Sequence, residues 1–329
     1  MRERLLSQLA HVEITTPVAD ASLGFFTDVL GMEVAGRQGQ SVYLRGWSEW
    51  FHHSLKLTEG AAPGLVHVGW RAEGPAQLEL AASRLEASGH GEGWHEDELG
   101  HGPAYRYRSP NGRHLHEIFW EVDRYEAPAE LASTYPNRPQ RYDARGVGVR
   151  YLDHVTINTR DIWADAGWLR DTLGHRLMEY TTPDDAEVVV FAMLTTCERG
   201  HDLGLVPDAP GNGGRINHVA FWLDQREDLR KAADYLLEHG FPIEFGPGRH
   251  GMSEIDYLYF REPGGLRIEL NSGSYRNYEP DWEPKRWTAA QGSNVFFRNL
   301  GMPQSMMESF PPAGAQLPME QVLRSGHFT

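Results

Sequence analysis

Two similar stretches decide the fold of this chain: Leu9–Thr16, which reads LAHVEITT, and Leu152–Thr159, which reads LDHVTINT. Each is followed by a helix-like segment that ends in a leucine and a glycine, Leu30-Gly31 in the first case and Leu173-Gly174 in the second. The histidine of the stretch lies 20 residues before this glycine in both copies. A glycine directly after a helical segment is typical of a left-handed helix C-terminus.

Two further pairs of matching segments follow in the same order. Leu65-Val66-His67-Val68 matches Ile216-Asn217-His218-Val219, and each leads into a second helical pattern that a glycine ends. Tyr107–Gly112 matches Phe260–Gly265, and each leads into a strand pattern. Three matches in one order indicate an internal duplication, and a repeat of this kind governs the whole fold. Each half therefore reads as two βαβββ modules.

The duplication predicts an α+β fold in which tandem βαβββ modules form two open-barrel domains. We expect an N-terminal domain at 1–135, a linker at 136–148, a C-terminal domain at 149–275, and a lid and tail at 276–329. The linker is rich in proline, glycine and arginine and has no apolar period. The tail predicts irregular structure that wraps the second half, and its last ten or so residues predict disorder.

Composition limits the possible functions. The 329 residues carry a formal net charge of −15, which argues against nucleic acid or an anionic membrane as the main partner. Apolar runs are much shorter than the ~20 residues that span a bilayer, and the first residues lack the apolar segment of a secretion signal. Cys197 is the single cysteine, which excludes an internal disulfide. We expect a protein of the reducing cytoplasm.

Strand alternation selects three candidate metal ligands in the second half. Alternate residues of a strand share a face, so His154, His218 and Glu269 each lie on the polar face of their strand. Two histidines and one carboxylate form the facial triad that is typical of Fe(II) oxygenases. The spacing alone also allows a different interpretation, in which the histidines are structural residues inherited from the duplication.

The first half offers a weaker set of the same kind. His11 and His67 are equivalent to His154 and His218. Glu269 lies six residues after Pro263, and the residue six after Pro110 is His116, which would be the third ligand. Glu117 is one step out of phase, so we expect its side chain to point to the opposite face. An all-histidine set could bind metal adventitiously, but we interpret it as a degenerate copy without a functional metal site.

Several motifs of the second half resemble a known family. They are the triad, Gly246-Pro-Gly-Arg-His-Gly251, Tyr257-Leu-Tyr259 and Pro263-Gly-Gly-Leu-Arg-Ile-Glu269. Together with the duplication they resemble the type I extradiol (catechol 2,3-) dioxygenases of the vicinal oxygen chelate superfamily, and most strongly the homoprotocatechuate 2,3-dioxygenase branch. The resemblance covers nearly the whole chain, including Phe51-His-His53 in the first half.

The resemblance implies an Fe(II) site, with Mn(II) as a variant, held by the triad. It also implies an acid–base histidine at His201, a histidine near the substrate hydroxyl at His250, and a tyrosine at Tyr259 that hydrogen-bonds the bound substrate oxygen. The residues alone also allow other interpretations: His201 as an exposed loop residue, His250 as a brace for its glycine turn, and Tyr259 as a packed strand residue. The implied reaction opens a catechol with O2 next to the diol to give a 2-hydroxymuconic semialdehyde. The resemblance also implies a homo-oligomer, with a tetramer as the expected state.

One departure from the family concerns the substrate. Members that bind acidic catechols carry an arginine just before the Gly-Pro-Gly-Arg-His-Gly turn, where this chain has Phe245, and an arginine pair in the lid, where Lys285–Gln291 has one arginine. A desolvated carboxylate without a bidentate partner is costly. We therefore predict an uncharged or apolar-substituted catechol, with Phe191, Met193 and Trp287 as candidates for an apolar wall.

Two other functions stay open from the sequence. The first is a non-oxidative metal-dependent isomerase or lyase of the same fold, which would need an additional carboxylate base at the metal. The second is a non-catalytic protein that binds a small molecule on the duplicated concave surface. Oxygen uptake with a catechol separates the first alternative from a dioxygenase, and the metal content of the purified protein separates the second.

Overall fold

A computed structural model describes residues 3–96, 98–297 and 301–314. The first half consists of two successive βαβββ modules: β1 (Leu6–Thr16), α1 (Ala19–Gly24), β2 (Glu33–Gln38), β3 (Ser41–Arg45) and β4 (Leu55–Glu59), then β5 (Gly64–Ala72), α2 (Pro75–Ala87), β6 (Gly91–His95), β7 (Ala104–Arg108) and β8 (Leu115–Phe119). A π-helical turn at Phe25–Val29 extends α1.

The second half repeats this order. Its modules are β9 (Tyr151–Thr159), α3 (Ile162–Leu173), β10 (Arg176–Thr182), β11 (Phe191–Thr195) and β12 (Leu203–Pro207), then β13 (Ile216–Trp222), α4 (Arg226–Glu238), β14 (Ile243–Arg249), β15 (Ile255–Arg261) and β16 (Arg267–Gly273). The predicted α+β fold with duplicated βαβββ modules is confirmed. Among the described residues, no helix is long and apolar enough to cross a membrane.

Each half forms one mixed sheet with the first strands of its two modules at the centre. The strand order is β2-β3-β4-β1-β5-β8-β7-β6 in the first sheet and β14-β15-β16-β13-β9-β12-β11-β10 in the second, followed by the added strand β17 (Lys285–Thr288). In both halves the two central strands are antiparallel to each other, and each has a parallel neighbour on its outer side. The three predicted ligands lie on β9, β13 and β16, which are adjacent.

Local sequence signals explain where the helices begin and end. The side chain of Asp161 accepts a hydrogen bond from the backbone N–H of Ala164 and so caps the N-terminus of α3. Gly174 ends the same helix with a φ of 81°, and Gly31 has a φ of 75° after the corresponding segment of the first half. A residue with a side chain would be strained at either position, so the predicted leucine–glycine helix ends are confirmed.

The two halves are joined by reciprocal buried hydrogen bonds. Ser22 of α1 donates its hydroxyl to the carboxylate of Glu262, which belongs to the β15–β16 turn of the other half. Asp165 of α3 accepts hydrogen bonds from the backbone N–H groups of Asn111 and Gly112 in the β7–β8 turn. Each half thus fixes a hairpin turn of the other, and this supports a single apolar core that runs through both sheets.

The tail is more regular than the sequence predicts. β17 pairs in parallel with β10 and extends the edge of the second sheet, whereas we expected irregular structure there. Further on, the backbone of Phe310 pairs with Ile216, and Leu65 donates its N–H to the carbonyl of Pro311. The tail therefore crosses from the second sheet to the first. The predicted disorder of the last ten residues lies outside the described residues.

Candidate active site

The three predicted ligands of the second half converge on one buried point. Nε2 of His154 lies 3.1 Å from Oε2 of Glu269, and Nε2 of His218 lies 3.0 Å from the same oxygen. The two imidazole Nε2 atoms are 3.1 Å apart. All three side chains are buried. An ion bonded at ~2.0–2.2 Å to each ligand fits a triangle of donor atoms with edges near 3 Å.

The second nitrogen of each histidine is held by the preceding residue. Nδ1 of His154 lies 2.8 Å from Oδ2 of Asp153, and Nδ1 of His218 lies 2.8 Å from Oδ1 of Asn217. Both contacts need an N–H at Nδ1, and this leaves the Nε2 lone pair of each ring free to bind a metal. Asp153 is fixed in turn by Arg199 at 2.9 Å and by Asn271 at 2.8 Å.

Sequence reasoning missed Asp153 and Asn217, because strict alternation places them on the face opposite to the histidines. Both occupy irregularities of the β9–β13 ladder, where the register shifts between Ile216 and His218 and between Ala220 and Phe221. A bulge adds one residue and redirects its side chain. The polar identity of both residues inside otherwise apolar strand faces is the signal that could have revealed them.

The site shifts the pKa values of its two histidine ligands in opposite directions. Burial lowers the pKa of His154, but the carboxylates of Glu269 and Asp153 outweigh burial and raise that pKa to about 9. Burial lowers the pKa of His218 to about 4. The imidazoles of His154 and His218 also outweigh burial at Glu269 and hold the pKa of that carboxyl well below its usual range. Glu269 is therefore an anion, as a metal ligand must be.

Glu269 provides the test of whether a metal fits this site. Both of its oxygens are buried, and the close contacts of Oε2 are the two ligand nitrogens, Nε2 of His154 at 3.1 Å and Nε2 of His218 at 3.0 Å. A buried carboxylate in this state is costly unless a cation pairs with it. Two neutral imidazole nitrogens and one carboxylate suit a divalent transition metal. The residues present therefore fit an iron or manganese ion.

The three predicted catalytic residues surround this point. The His201 ring is buried, and its centroid lies 4.1 Å from that of His154, so His201 is not an exposed loop residue. Tyr259 pairs with Glu269 across the β15–β16 ladder, and its hydroxyl lies 3.1 Å from Nε2 of His250. Nδ1 of His250 lies 2.6 Å from the carbonyl oxygen of Asn294. Because that contact requires an N–H at Nδ1, the Tyr259 hydroxyl donates to His250.

Burial sets the protonation of these three groups. It lowers the pKa of His250, and it lowers the pKa of His201 well below its usual value, where the nearby His154 ring acts in the same direction. Burial and the Glu269 carboxylate raise the pKa of Tyr259 well above its usual value. At neutral pH the site thus holds two neutral imidazoles and one phenol.

A cavity of about 240 Å³ opens onto the triad and the three neighbouring side chains. Much of its wall is apolar and comes from Val190, Phe191, Met193, Val206, Phe245, Met252, Ile255, Met302, Met306 and Met307. Phe191 and Met193 thus lie where the sequence predicted an apolar wall. Trp287 lines a neighbouring pocket instead, since its indole nitrogen donates to Glu179.

The first half contradicts two expectations. Glu117, not His116, joins His11 and His67, with its Oε1 at 3.1 Å from Nε2 of each histidine. His116 points away and accepts a hydrogen bond from the Trp70 indole at Nδ1. The expectations that His116 completes the set and that Glu117 points to the opposite face were therefore wrong.

Turn length explains the error. The β15–β16 hairpin closes at the Arg261–Arg267 pair and leaves five residues in its turn, whereas the β7–β8 hairpin closes at Arg108–Leu115 and leaves six. One extra residue moves every later side chain to the other face when positions are counted from the proline. Glu117 therefore occupies the position of Glu269, opposite Arg106 as Glu269 is opposite Tyr259.

Comparison with known proteins supplies the family. The model of the Glyoxalase/Bleomycin resistance protein/Dioxygenase superfamily matches residues 8–116 and 151–270, once in each half. The chain belongs to this superfamily. Its two matched segments coincide with the two halves of the duplication, so the family resemblance seen in the sequence is confirmed.

Named relatives of this superfamily member are extradiol dioxygenases. The chain is 40% identical over 283 residues to metapyrocatechase of Geobacillus stearothermophilus, with 86% of each chain covered. It is 37% identical over 286 residues to the manganese-dependent 2,3-dihydroxybiphenyl 1,2-dioxygenase of Geobacillus genomosp. 3, which covers 86% of this chain and 90% of that one. The anaerobic substrate complex of homoprotocatechuate 2,3-dioxygenase from Brevibacterium fuscum superposes with a TM-score of 0.81 at 26% identity and covers 94% of each chain.

Proposed function

We propose that this protein is an extradiol dioxygenase that opens the ring of a catechol next to the diol, with His154, His218 and Glu269 as ligands of Fe(II) or Mn(II). The observation that carries the proposal is the buried Glu269 carboxylate, whose Oε2 lies within 3.1 Å of two oriented imidazole nitrogens at the floor of an apolar cavity. Relatives named metapyrocatechase and iron- or manganese-dependent dioxygenase support the enzyme class and the metal.

The metal, when bound, supplies the Lewis acidity and electron transfer that bring a diol and O2 to reaction. The protein supplies positions and protons. His154, His218 and Glu269 would hold the ion at the floor of the cavity, and the cavity would admit both a diol and O2. Both atoms of O2 enter the 2-hydroxymuconic semialdehyde product, and no further reductant is needed.

His250 and Tyr259 form a donor–acceptor pair beside the diol. Tyr259 keeps its proton because burial raises its pKa, and His250 stays neutral because burial lowers its pKa. A diol oxygen that displaces the direct contact between them, 3.1 Å long without substrate, meets a phenol that donates and an imidazole that accepts. The pair therefore orients the ring and holds the proton that one hydroxyl loses on binding.

His201 lies beside His154, whereas Tyr259 lies beside His218, and it acts on the second proton. Its Nδ1 atom is buried without a hydrogen bond to any described residue, and the ring lines the cavity. A neutral imidazole can take up a proton from the substrate and return it to an oxygen of the opening ring. Because burial disfavours its protonated form, His201 gives the proton back readily.

Anaerobic reconstitution tests the function. The protein is loaded with Fe(II) or Mn(II) without oxygen, mixed with unsubstituted catechol and then exposed to O2. We expect one O2 consumed for each catechol and a yellow ring-opened product, with metal-free protein as the control. Catechol turnover without oxygen uptake would indicate an isomerase or lyase, and tight catechol binding without turnover would indicate a binding protein. Either result contradicts the proposal.

We also propose that the substrate carries no charge on its ring substituent. Among the described residues that line the cavity, none is a lysine or an arginine, and Phe245 lies where acidic-catechol members of the family carry arginine. Phe245 stacks near Tyr259, with ring centroids 6.1 Å apart, and so faces the reacting region. A substrate carboxylate would be buried there without a counterion.

A small panel tests this specificity. We expect kcat/KM to be higher for catechol and for 3-alkyl or 3-aryl catechols than for 3,4-dihydroxyphenylacetate. Phe245→Arg should lower the ratio of kcat/KM for uncharged catechols to kcat/KM for 3,4-dihydroxyphenylacetate. Phe245→Leu serves as the control for lost ring packing. If wild-type protein prefers the acidic catechol, or if Phe245→Arg gives no gain on it relative to Phe245→Leu, the proposed specificity is wrong.

The cellular location and the oligomeric state of the enzyme are a further part of the proposal. We propose a cytoplasmic homo-oligomer, and family resemblance favours a tetramer. Exposed aromatic side chains such as Trp94 and Trp163 provide apolar surface for such contacts. Light scattering of the purified protein measures the mass directly, and a 37 kDa particle at micromolar concentration would contradict the oligomer.

A further inference from the structure

We propose that the first half binds a second divalent metal ion, held by His11, His67, His101 and Glu117 in a closed structural site. Nothing in the proposed dioxygenase reaction requires this ion, so the two proposals stand independently. The site lies on β1, β5, β8 and the β6–β7 loop, at the positions that correspond to the triad of the second half.

Three imidazoles meet one carboxylate oxygen at this point. Oε1 of Glu117 lies 3.1 Å from Nε2 of His11, 3.1 Å from Nε2 of His67 and 3.2 Å from Nε2 of His101. The Nε2 atoms of His11 and His67 are 2.8 Å apart. These edges match the triangle of the second half, and His101 adds a fourth donor that the triangle of the second half does not include.

Contacts outside this cluster orient its donors. Nδ1 of His67 lies 3.0 Å from the Glu13 carboxylate, and Nδ1 of His101 lies 2.8 Å from the carbonyl oxygen of Gly102. Both acceptors favour an N–H at Nδ1 and leave Nε2 as the metal donor. Arg106 donates to Oε2 of Glu117 at 3.0 Å, which leaves Oε1 facing the three imidazoles.

The cluster is buried, and its inward-facing atoms are all lone-pair carriers. The Glu117 side chain is fully buried, and its Oε1 faces the three Nε2 atoms at 3.1 to 3.2 Å. With the hydrogen of His67 and His101 on Nδ1, their Nε2 lone pairs point at a carboxylate oxygen, and buried acceptors in this state need a shared proton or cation. An ion at the centre of the four atoms would satisfy all of them at once.

The cluster is closed, in contrast to the triad. The Phe119 ring stacks on His101 with centroids 4.1 Å apart and on His11 at 5.5 Å, and each of the four side chains of the cluster is at most 2% exposed. A tetrahedral site with four protein ligands is typical of structural zinc, and three nitrogens with one oxygen suit Zn²⁺. We therefore assign the site a structural role with Zn²⁺ as its preferred ion.

Metal stoichiometry tests the proposal. Full-length protein is stripped with a chelator, dialysed against Zn²⁺, and analysed by elemental mass spectrometry. We expect two tightly bound equivalents in the wild type and one in Glu117→Gln or His11→Gln. His116→Gln, which changes a buried histidine next to Glu117 but outside the cluster, should keep two. A wild-type protein that binds one equivalent or none overturns the proposal, because a metal-free network of ion pairs would then explain the cluster.

A second measurement avoids dependence on whether those variants fold. In His154→Gln/His218→Gln the second-half site is removed, and we expect one equivalent of Co²⁺ to remain, with the intense visible absorption of a tetrahedral ion. Zn²⁺ should raise the melting temperature of this variant, since an ion that binds only the folded state stabilises it. Absence of bound cobalt, or a weak octahedral spectrum, contradicts the closed site. Neither readout uses ring cleavage, so failure of the dioxygenase proposal is seen separately.

Discussion

The two halves of the molecule place a histidine–histidine–glutamate set at equivalent points of one scaffold, yet they differ in the residues around it. In the second half the residues at the β9–β13 irregularities are Asp153 and Asn217, which orient the ligands. In the first half the corresponding residues are Ala10 and Val66, which cannot do so, and Glu13 contacts His67 instead. The second set opens onto a cavity, and in the first set the Phe119 ring packs on His11 where the second half has Asn271.

This difference teaches that a duplicated donor set does not by itself define an active site. What the second half adds is a polar partner for each ligand, a tyrosine opposite the carboxylate where the first half has Arg106, and space above the three donors. The open half therefore suits a reaction, and the closed half suits stability.

The carboxylates should separate the two roles most strongly. We expect Glu269→Gln to lower ring cleavage by more than the roughly 10–100-fold that loss of a residue outside the ligand set costs. Glu117→Gln should instead lower the melting temperature, with a much smaller effect on turnover per folded chain. Steady-state oxygen uptake and calorimetry on both variants provide the measurement. Equal losses of turnover in the two variants would mean that the halves do not differ in this way.

Each half has a histidine two residues before the last strand of its first module, and this pair sharpens the comparison. His201 lies two residues before β12, and His53 lies two residues before β4, with its ring centroid 4.9 Å from that of His11. We expect His201→Asn to lower kcat by roughly 10²–10⁴-fold, the usual contribution of a positioned acid–base group, with a modest change in KM. His53→Asn is the matched control. Unchanged kcat in His201→Asn would remove His201 from the mechanism.

Removal of the Asp153 carboxylate, which orients His154, should have an intermediate effect on activity. Asp153→Ala leaves Nδ1 of His154 without its acceptor, so we expect metal affinity in the second half to fall by about 10–100-fold. Metal titration followed by ring-cleavage activity measures this, and excess metal should restore most of the turnover. A loss that excess metal does not restore would indicate that Asp153 acts in another way.

Acid should have the smallest effect, through the ion pair of Glu244 with Arg267, where the first half has Leu115 at the position of Arg267. Burial raises the pKa of Glu244, but hydrogen bonds from Arg267 outweigh burial and lower that pKa to about 2. A folded-state pKa below the unfolded value stabilises the fold above pH ~4.5, and this contribution is lost as the pH falls towards 2. We expect a loss on the order of 2 kcal/mol.

Chemical denaturation between pH 6 and pH 3 measures this contribution. Glu244→Gln should flatten the dependence of unfolding free energy on pH relative to the wild type. Arg267 also donates to the carbonyls of Ser305 and Glu308, so the same titration should loosen the tail. Parallel pH profiles in the two proteins would show that Glu244 makes no such contribution.

The sequence predicted the modules and the second-half triad because both depend on period and spacing. Strand alternation brought His154, His218 and Glu269 to one face, and the duplication supplied the order of elements. The error at Glu117 has a different origin, since the length of one hairpin turn decides it and the matching Pro110 and Pro263 conceal the extra residue. Asp153 and Asn217 were missed because bulges break the alternation on which the prediction relied.

The crossing of the tail between the sheets has a consequence for biosynthesis. Met302, Met306 and Met307 form part of the cavity wall, and Phe310 and Pro311 attach this segment to both halves. These residues leave the ribosome after every strand of the two sheets, because translation proceeds from the N-terminus. A nascent chain thus exposes its ligand-bearing strands first and receives the cover over them afterwards.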